Sequence, residues 1–210
     1  VLASGGYQAN LEWLKQSWGA AADNFIIRGT PYNQGRLLRA MLDHGAQPIG
    51  DPRQGHAVAI DARAPKFDGG IVTRLDCVPF GIVVNREARR FYDEGEEFWP
   101  KRYAIWGRLV AEQPGQIAFC IIDDTPPFYA YPLRPGITFT YLSLAVNRRA
   151  QVLMQDGSAA ANIFAAGEIM AGNILGQGYM AGFGMTIGTV FGRIAGKESV
   201  RYVVERLKRS

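Results

Sequence analysis

The fold is decided by residues 162–196, whose sequence is NIFAAGEIMAGNILGQGYMAGFGMTIGTVFGRIAG. This stretch predicts a short buried strand that ends at the carboxylate of Glu168, followed by a glycine-rich loop and a helix. Glycine returns every fourth residue along that helix and therefore lines one side of it, at Gly184, Gly188, Gly192 and Gly196. Each interior glycine costs a helix about 1 kcal/mol relative to alanine, so the stripe predicts that another group approaches the backbone closely.

Two interpretations of this glycine stripe stay open, close packing against another helix and close approach of a cofactor. For a cofactor, the start of the helix would offer free N–H groups, and Glu168 lies where nucleotide-binding folds hold a ribose hydroxyl. A membrane span is disfavoured, because the apolar run from Gly178 to Gly192 is shorter than the ~20 residues required and Arg193 ends it.

The composition is that of a packed globular protein. The chain has 210 residues, of which 48% are hydrophobic and 11% aromatic, and its formal net charge is +4. Its basic residues are scattered except at 201–209, which predicts a solvated terminal helix, and nucleic acid is not expected as a partner. Cys77 and Cys120 lack metal-ligand spacing, so no metal site is expected, and reduced thiols predict a cytoplasmic protein.

Three segments differ in character, and they predict an inserted lobe. Residues 1–50 and 138–210 have the pattern of an α/β domain, whereas residues 51–137 mix strands and helices and predict a separate lobe. Strands are predicted at 1–3, 55–60, 81–85, 116–122, 138–146 and 162–166, and residues 151–157 predict a hairpin arm and its turn. Helices are predicted at 11–18 after an Asn10 cap, at 35–45 and at 99–112. Four prolines predict an extended linker over residues 126–135.

Several short motifs resemble one flavoprotein family. They are ASGG at 3–6, VN at 84–85 with Arg90, Phe91 and Glu94, and AAGE at 165–168 before the glycine-rich helix. Together they resemble the fumarate reductase/succinate dehydrogenase flavoprotein family, in the order in which that family binds FAD. Two further segments, WPKRYAIWG at 99–107 and GNILGQGY at 172–179, are similar to the FAD-dependent tricarballylate dehydrogenases of that family.

The resemblance implies a fold, a cofactor and a reaction. The fold is α/β with an α+β insertion, that is, part of a Rossmann-like FAD-binding domain plus an inserted capping lobe. The reaction is removal of two hydrogens from adjacent saturated carbons beside carboxylates, one as hydride to flavin N5 and one as a proton to a protein base. Tricarballylate would become cis-aconitate. The family also implies a membrane-bound electron-acceptor protein as partner, and hence a possible peripheral position at the inner membrane.

The sequence departs from the family pattern in two ways. The amino-terminal strand–GxGxxG–helix unit of the family is absent. The glycines at 182, 184 and 188 do not supply the fingerprint elsewhere, because Gly188 comes one residue too late. In addition, residues 122–126 join two parts that relatives separate by a longer segment. These departures predict that the chain is the carboxyl-terminal portion of a larger protein.

The resemblance assigns a first group of residues to the cofactor. Ser4, Gly5 and Gly6 would pass close to FAD, because a side chain there would collide with it. Glu168 resembles the carboxylate that binds the adenosine ribose. Backbone groups at the start of the last helix would face the pyrimidine edge of the flavin, from Gly182, Gly184, Met185 and Thr186.

A second group is assigned to catalysis and to the substrate. Arg102 is the counterpart of the family's proton-transfer arginine, and Asp93, Glu94, Glu96 and Glu97 are the nearby carboxylates that could relay its proton. The family's HTMGG motif is replaced by Phe139–Ser143 and its substrate arginine by Tyr179, which argues against fumarate itself. The residues predicted to contact a di- or tricarboxylate are His56, Arg74, Thr140, Tyr141 and Tyr179.

Three functional hypotheses remain at this point. The first is a tricarballylate dehydrogenase, and the second is an FAD-dependent oxidoreductase of cobalamin-type ring synthesis. The third is a non-catalytic fragment that folds without flavin, which the absent phosphate-binding loop favours. Bound flavin would separate the third hypothesis from the others, and bleaching by a given substrate would separate the first two.

Overall fold

The computed structural model describes residues 1–67, 74–96, 103–122 and 127–209. Within these ranges the α-helices are α1 (Leu11–Trp18), α2 (Arg36–Asp43), α3 (Trp106–Ala111) and α4 (Phe183–Leu207). The strands are β1 (Ile26–Ile27), β2 (Pro48–Ile49), β3 (Gly55–Asp61), β4 (Ile82–Asn85), β5 (Ala118–Ile122), β6 (Tyr129–Thr140), β7 (Ser143–Leu144), β8 (Gln151–Leu153) and β9 (Ala159–Phe164).

The largest sheet is organised around β6. This strand pairs in parallel with β1 and antiparallel with β3 and β5, and β5 in turn pairs with β4. The first half of β6 lies beside β5 and its second half lies beside β3 and β1. Two smaller antiparallel pairs, β2 with β7 and β8 with β9, complete the strands described.

The proline-rich stretch was expected to be a linker, and this prediction is wrong. Pro132 and Pro135 lie inside β6, where Pro132 is paired with Phe119 of β5 and Pro135 with Ala59 of β3. Proline keeps the extended backbone and lacks only the N–H donor, so it fits a strand position whose N–H is not needed by a neighbour. The extended character was therefore predicted correctly, while its place at the centre of a sheet was missed.

Most of the other predicted elements are present. Helix α1 begins as expected, because the Asn10 side-chain oxygen accepts a hydrogen bond from the Trp13 N–H at 3.0 Å. The helix predicted at 99–112 is represented by α3, and residues 99–102 lie outside the described residues. The strand predicted at 1–3 is reduced to a parallel bridge between Leu2 and Ala165.

Two hydrophobic cores hold these elements together. The larger core is formed by α1, the end of β6 and the turn after β9, and its largest fully buried side chains include Tyr7, Tyr141 and Leu14. The second core joins α3 to β4 and β5 through Trp106, Val83 and their neighbours. Because β1 pairs with β6 across the predicted segments, the sheet connects them, and the boundaries at residues 50 and 137 stay a prediction.

Among the described residues, three of the four glycines in the stripe of helix α4 have no close neighbour, while a methyl group on the fourth, Gly184, would meet the Tyr179 hydroxyl at 2.6 Å. One side of the helix packs on the hairpin of β8 and β9, where Ala195 and Phe191 contact Phe164 and Ala166. A methyl group added at Gly188, Gly192 or Gly196 would meet no heavy atom within 4 Å. Within the described ranges no helix has both the length and the apolar character needed to cross a bilayer.

Candidate functional site

A buried carboxylate lies where β9 leads into the following turn. The residues after this strand, Ala165 and Ala166, are buried, and Gly167 adopts a left-handed conformation with φ of 77°. This turn directs Glu168 toward the end of β6, where its Oε1 accepts hydrogen bonds from the Thr140 N–H at 3.0 Å and the Thr140 hydroxyl at 3.4 Å. The structure thus brings two predicted site residues into direct contact.

The charge state of Glu168 is set by a balance between burial and hydrogen bonding. Burial raises the pKa of this carboxyl from 4.5 to about 7, although hydrogen bonds from Thr140, from the Gly6 backbone and from the Gln8 side chain oppose the rise. The carboxyl group therefore exchanges its proton near neutral pH. Because it is polar and enclosed, it fits a ligand that brings hydroxyl groups.

The need for glycine at positions 5 and 6 arises within the chain itself. A side chain on Gly6 would overlap the Thr140 hydroxyl and the Glu168 carboxylate, and Gly5 has a φ of 79° that other residues rarely adopt. Glycine at both positions is thus required by the chain itself, and the contact of these residues with FAD stays a prediction. Ser4 is exposed and lines a cavity of about 360 Å³ together with Tyr32 and Arg36.

One buried oxygen of this cluster supports the fit of FAD. The side chain of Gln8 is 6% exposed, and its Oε1 has no hydrogen-bond donor among the described residues. Such an atom is costly to leave unsatisfied, and a ligand hydroxyl would supply the missing donor. Gln8, Glu168 and Thr140 together therefore fit the hydroxyl-bearing part of FAD.

A second cluster forms around His56 in β3. Its ring stacks on that of Tyr179 with centroids 4.0 Å apart and an interplanar angle of 6°, and Phe139 lies opposite His56 in the sheet. The ring of Phe139 lies 6.0 Å from that of Tyr179. The Tyr179 hydroxyl accepts a hydrogen bond from the Gly184 N–H at 2.8 Å, which ties the start of α4 to this aromatic group.

Two arginines place positive charge beside His56. Burial, together with the smaller effect of the charges of Arg28 and Arg74, lowers the pKa of His56 to about 3, so the ring is neutral at pH 7. Arg28 is 9% exposed and donates to the Thr138 hydroxyl at 3.1 Å, whereas Arg74 forms an ion pair with Asp76 at 2.6 Å. A neutral imidazole between two cations suits an anionic ligand.

Arg28 is the residue that sequence reasoning missed. The available signal was its position directly after the apolar pair of β1, Ile26 and Ile27, where a charged side chain is brought to the edge of a buried strand. By itself this signal is weak, because many strands end at a charged residue. Only the pairing of β1 with β6 brings Arg28 to Thr138 and hence near His56.

The remaining predicted substrate residues are placed differently from one another. Tyr141 is fully buried, and its hydroxyl donates to the Gly178 carbonyl, so it anchors the loop before α4. Thr140 lies with Glu168 and also accepts from the Tyr7 N–H at 3.2 Å, which places it in the cofactor cluster and not beside His56. Their contact with a substrate stays a prediction.

The start of α4 is open on one side. Gly182 has a φ of 89°, and a methyl group added to it would meet no heavy atom within 4 Å. Met185 is 80% exposed. Thr186 is exposed as well, and its hydroxyl donates to the Gly182 carbonyl at 3.1 Å. The Gly184 N–H already bonds to Tyr179, so contacts from this turn to a flavin stay a prediction.

The predicted catalytic residue Arg102 lies outside the described residues. A cavity of about 430 Å³ is lined by Glu96 and Arg108 on one side and by the loop 174–183 on the other. Of the proposed relay carboxylates, Glu94 accepts from the Val83 N–H at 2.6 Å and from Arg90 at 2.8 Å. Glu94 is therefore held inside the lobe, and Glu97 lies outside the described residues.

Comparison with protein families now adds independent information. Residues 108–184 match the family model described as "FAD binding domain". The matched range includes Phe139, Glu168 and the loop that leads to α4. The match covers 77 of the 210 residues and supports FAD as the cofactor of this chain.

Three curated proteins are similar to this chain. NADH:acrylate oxidoreductase of Vibrio harveyi is 24% identical over 269 residues, which covers 95% of this chain and 26% of that protein. Probable fumarate reductase Ifc3 of Shewanella frigidimarina is 34% identical over 80 residues, which covers 38% of this chain and 13% of that protein. Digoxin reductase of Eggerthella lenta is 36% identical over 74 residues, which covers 35% of this chain and 13% of that protein.

The chain spans only part of each relative. The alignment with the acrylate oxidoreductase runs over 269 residues, more than the 210 of this chain, so that relative has residues between parts that are contiguous here. This agrees with the expectation that one segment is shorter than in relatives. At 13% to 26% of the curated relatives' lengths, the chain is compared with a part of each of them.

Solved structures confirm the fold prediction. The open conformation of a flavocytochrome c3 fumarate reductase matches with a TM-score of 0.68 at 21% identity, covering 96% of this chain and 46% of that one. A 3-ketosteroid delta1-dehydrogenase from Sterolibacterium denitrificans matches with a TM-score of 0.71 at 16% identity, covering 94% and 52%. The α/β flavoprotein architecture with an α+β insertion is thus the fold of this chain.

Proposed function

We propose that this chain is part of an FAD-dependent dehydrogenase that oxidises tricarballylate to cis-aconitate. The observation that carries the proposal is the meeting of His56, Tyr179, Arg28 and Arg74 next to the Glu168 cluster. Consecutive residues of β6 link the two groups, since Phe139 contacts Tyr179 and Thr140 contacts Glu168. A polyanionic substrate and a hydroxyl-rich cofactor would then lie side by side.

The roles of the substrate residues follow from their charges. Arg28 and Arg74 would bind carboxylates of the substrate, because guanidinium groups pair with carboxylates in a bidentate manner. His56 is neutral at pH 7, so it would donate one hydrogen bond without adding charge. Tyr179 would hold the ring of His56 in place by stacking.

The cofactor would be held on the other side. Glu168, Gln8 and the Thr140 region would accept and donate hydrogen bonds to hydroxyl groups of FAD, which when bound supplies a hydride acceptor. The proton acceptor is proposed to be Arg102. We also propose that a membrane-bound electron-acceptor protein receives the electrons; no nucleic acid takes part.

The test uses FAD and tricarballylate with the 210-residue protein. FAD is titrated under anaerobic conditions while its fluorescence is followed, and tricarballylate, succinate and fumarate are then added while the absorbance of the flavin is recorded. We expect FAD to bind and tricarballylate to bleach it, with little change from the other two acids. Bound flavin that tricarballylate leaves unbleached would overturn the choice of substrate.

A matched pair of variants tests the substrate cluster. Arg28→Gln removes a buried cation beside His56, whereas Arg206→Gln removes an exposed cation near the end of α4. We expect the first change to raise the tricarballylate concentration needed for half-bleaching by at least tenfold without changing FAD affinity. The second change should leave both unaffected. Equal behaviour of the two variants would contradict the assignment of Arg28.

A second candidate is oxidoreduction of a ring-shaped substrate. It is supported by the aromatic wall of His56, Tyr179 and Phe139, which offers flat apolar surface, and by similarity to a protein named digoxin reductase. This candidate includes cobalamin-type ring chemistry. Adding a corrin or steroid to the same anaerobic titration separates it from the first, and failure to bind FAD would instead support a non-catalytic fragment.

A further inference from the structure

The two cysteines of the chain meet at the edge of the second core. Cys120 lies in β5 and is buried, whereas Cys77 is partly exposed just before the 3-10 turn Val78–Phe80. They are 43 residues apart in sequence, yet the Cys120 sulfur lies 4.0 Å from the Cys77 carbonyl oxygen. Each thiol also shifts the pKa of the other, so the two side chains influence each other directly.

The turn that follows Cys77 packs tightly against β5 beside the Cys120 sulfur. A methyl group on Gly81 would come within 2.9 Å of the Cys120 sulfur and 2.6 Å of the Ile121 carbonyl oxygen, so the turn can lie against β5 only because residue 81 is glycine. The Phe80 N–H donates to the Cys77 carbonyl at 2.9 Å, which fixes the turn that Cys77 begins. The turn that carries Cys77 is therefore held against the strand that carries Cys120.

The two thiols differ in reactivity. The hydrogen bond from Cys120 lowers the pKa of Cys77 to about 7, so a large share of this partly exposed thiol is thiolate at neutral pH. The same contact and burial raise the pKa of Cys120. The accessible sulfur is thus the nucleophilic one and the enclosed sulfur remains a thiol, which is the usual arrangement of an oxidisable cysteine and its resolving partner.

We propose that Cys77 and Cys120 form a reversible disulfide, in which Cys77 is the residue oxidised first and Cys120 the one that resolves it. With hydrogen peroxide as the oxidant, the Cys77 thiolate attacks one peroxide oxygen, the O–O bond breaks, and a sulfenic acid and hydroxide form. The Cys120 sulfur then attacks the Cys77 sulfur, the S–O bond breaks, and water leaves as the disulfide forms. Two thiols are oxidised and one peroxide is reduced to water.

The bond would tie a segment near the candidate site to the sheet. Arg74 lies three residues before Cys77 and forms a bridge with Ile60 of β3, and the Leu75 N–H donates to the Ala59 carbonyl at 3.1 Å. A disulfide at Cys77 would hold the other end of this short segment on β5. The segment would then be attached to both β3 and β5.

Peroxide treatment of the folded 210-residue protein tests the proposal. After exposure to an equimolar amount of hydrogen peroxide, free thiols are blocked with N-ethylmaleimide and the digested protein is analysed by mass spectrometry. We expect one peptide pair linked through Cys77 and Cys120, loss of both free thiols, and recovery of both with dithiothreitol. If both cysteines still react with N-ethylmaleimide, or if only disulfides between two chains form, the proposal is wrong.

Two variants separate the roles of the sulfurs. Cys120→Ser should stop the reaction at the sulfenic acid of Cys77, which dimedone traps, whereas Cys77→Ser should leave Cys120 unmodified under the same treatment. Sulfenic acid on Cys120 in the second variant would overturn the order of reaction. Circular dichroism checks that each variant is folded. If a variant is unfolded, the peptide map of the unaltered protein still shows whether the disulfide forms.

Discussion

At the scale of single residues, Glu168 couples the candidate site to pH. Its pKa is raised from 4.5 to about 7 in the folded protein, so the folded state binds more protons than the unfolded chain between these values. Stability without cofactor should therefore fall as pH rises through this window, by an amount of the order of 3 kcal/mol when the window has been crossed. Glu168→Gln should remove this fall. The free energy of unfolding in urea is measured at pH 5 and pH 8, and Glu87→Gln at an exposed position is the control. If Glu168→Gln keeps the same difference between the two pH values as the unaltered protein, the burial of this charge is contradicted.

His56 has the opposite effect on stability. Its pKa is lowered from 6.5 to about 3, so the unfolded chain binds more protons and stability should be lost as pH falls below 6.5. The loss should reach about 2 kcal/mol at pH 5, partly offset by protonation of Glu168. His56→Phe keeps a ring to stack on Tyr179 and should abolish the loss. The same change at the exposed His44 is the control, and equal pH dependence of both variants would count against this prediction.

At the scale of secondary-structure elements, the glycines of two helices should respond in opposite ways to the same change. A methyl group on Gly107 of α3 would overlap the backbone of Ala57 and Val58, whereas one on Gly192 of α4 would meet open space. Gly107→Ala should destabilise by about 1–3 kcal/mol or more, because the backbone of β3 must move. Gly192→Ala should stabilise the isolated chain by up to about 1 kcal/mol, because alanine favours the helix.

Denaturant midpoints of the two alanine variants decide this prediction. A destabilising Gly192→Ala would mean that the glycine stripe is covered when the protein is in solution. The sequence left two interpretations of that stripe open, because spacing shows which residues share a helix face but not what lies against it. Among the described residues nothing approaches Gly188, Gly192 or Gly196, and both interpretations stay open.

The elements themselves were largely predictable, because their signals are local. An asparagine before an amphipathic run predicts the start of α1, and glycines at both ends predict α2. The place of β6 was not predictable, since its prolines indicate an extended chain with no preference for a sheet. Its partners come from residues far away in sequence, so pairing, and not propensity, decides its role.

At the scale of the whole molecule, the candidate site was predictable in part. His56 and Tyr179 were both assigned to the substrate and do lie together, and Gly6 and Glu168 were both assigned to the cofactor and do contact each other. Local motifs identified the single residues, and the resemblance to one family grouped residues that are far apart in sequence. Arg28 was missed because its place depends on the pairing of β1 with β6, which no local pattern contains.

The shared sheet predicts that the described parts unfold together. Strand β6 joins β1 from the first predicted segment to β3 and β5 of the middle one, so neither segment can lose its strands without breaking the other's hydrogen bonds. We therefore expect a single cooperative transition in urea, with tryptophan fluorescence and circular dichroism giving the same midpoint. Two separate midpoints would indicate that residues 51–137 form an independent unit.

The order of the strands also has a consequence for biosynthesis. Strands β1, β3, β4 and β5 all precede β6 in the chain, and among these four only β4 and β5 pair with each other. During translation the apolar residues of β1 and β3 therefore leave the ribosome before the strand that covers their edges has been made. The sheet closes only after residue 140 has emerged, and until then its early strands are natural targets for a chaperone.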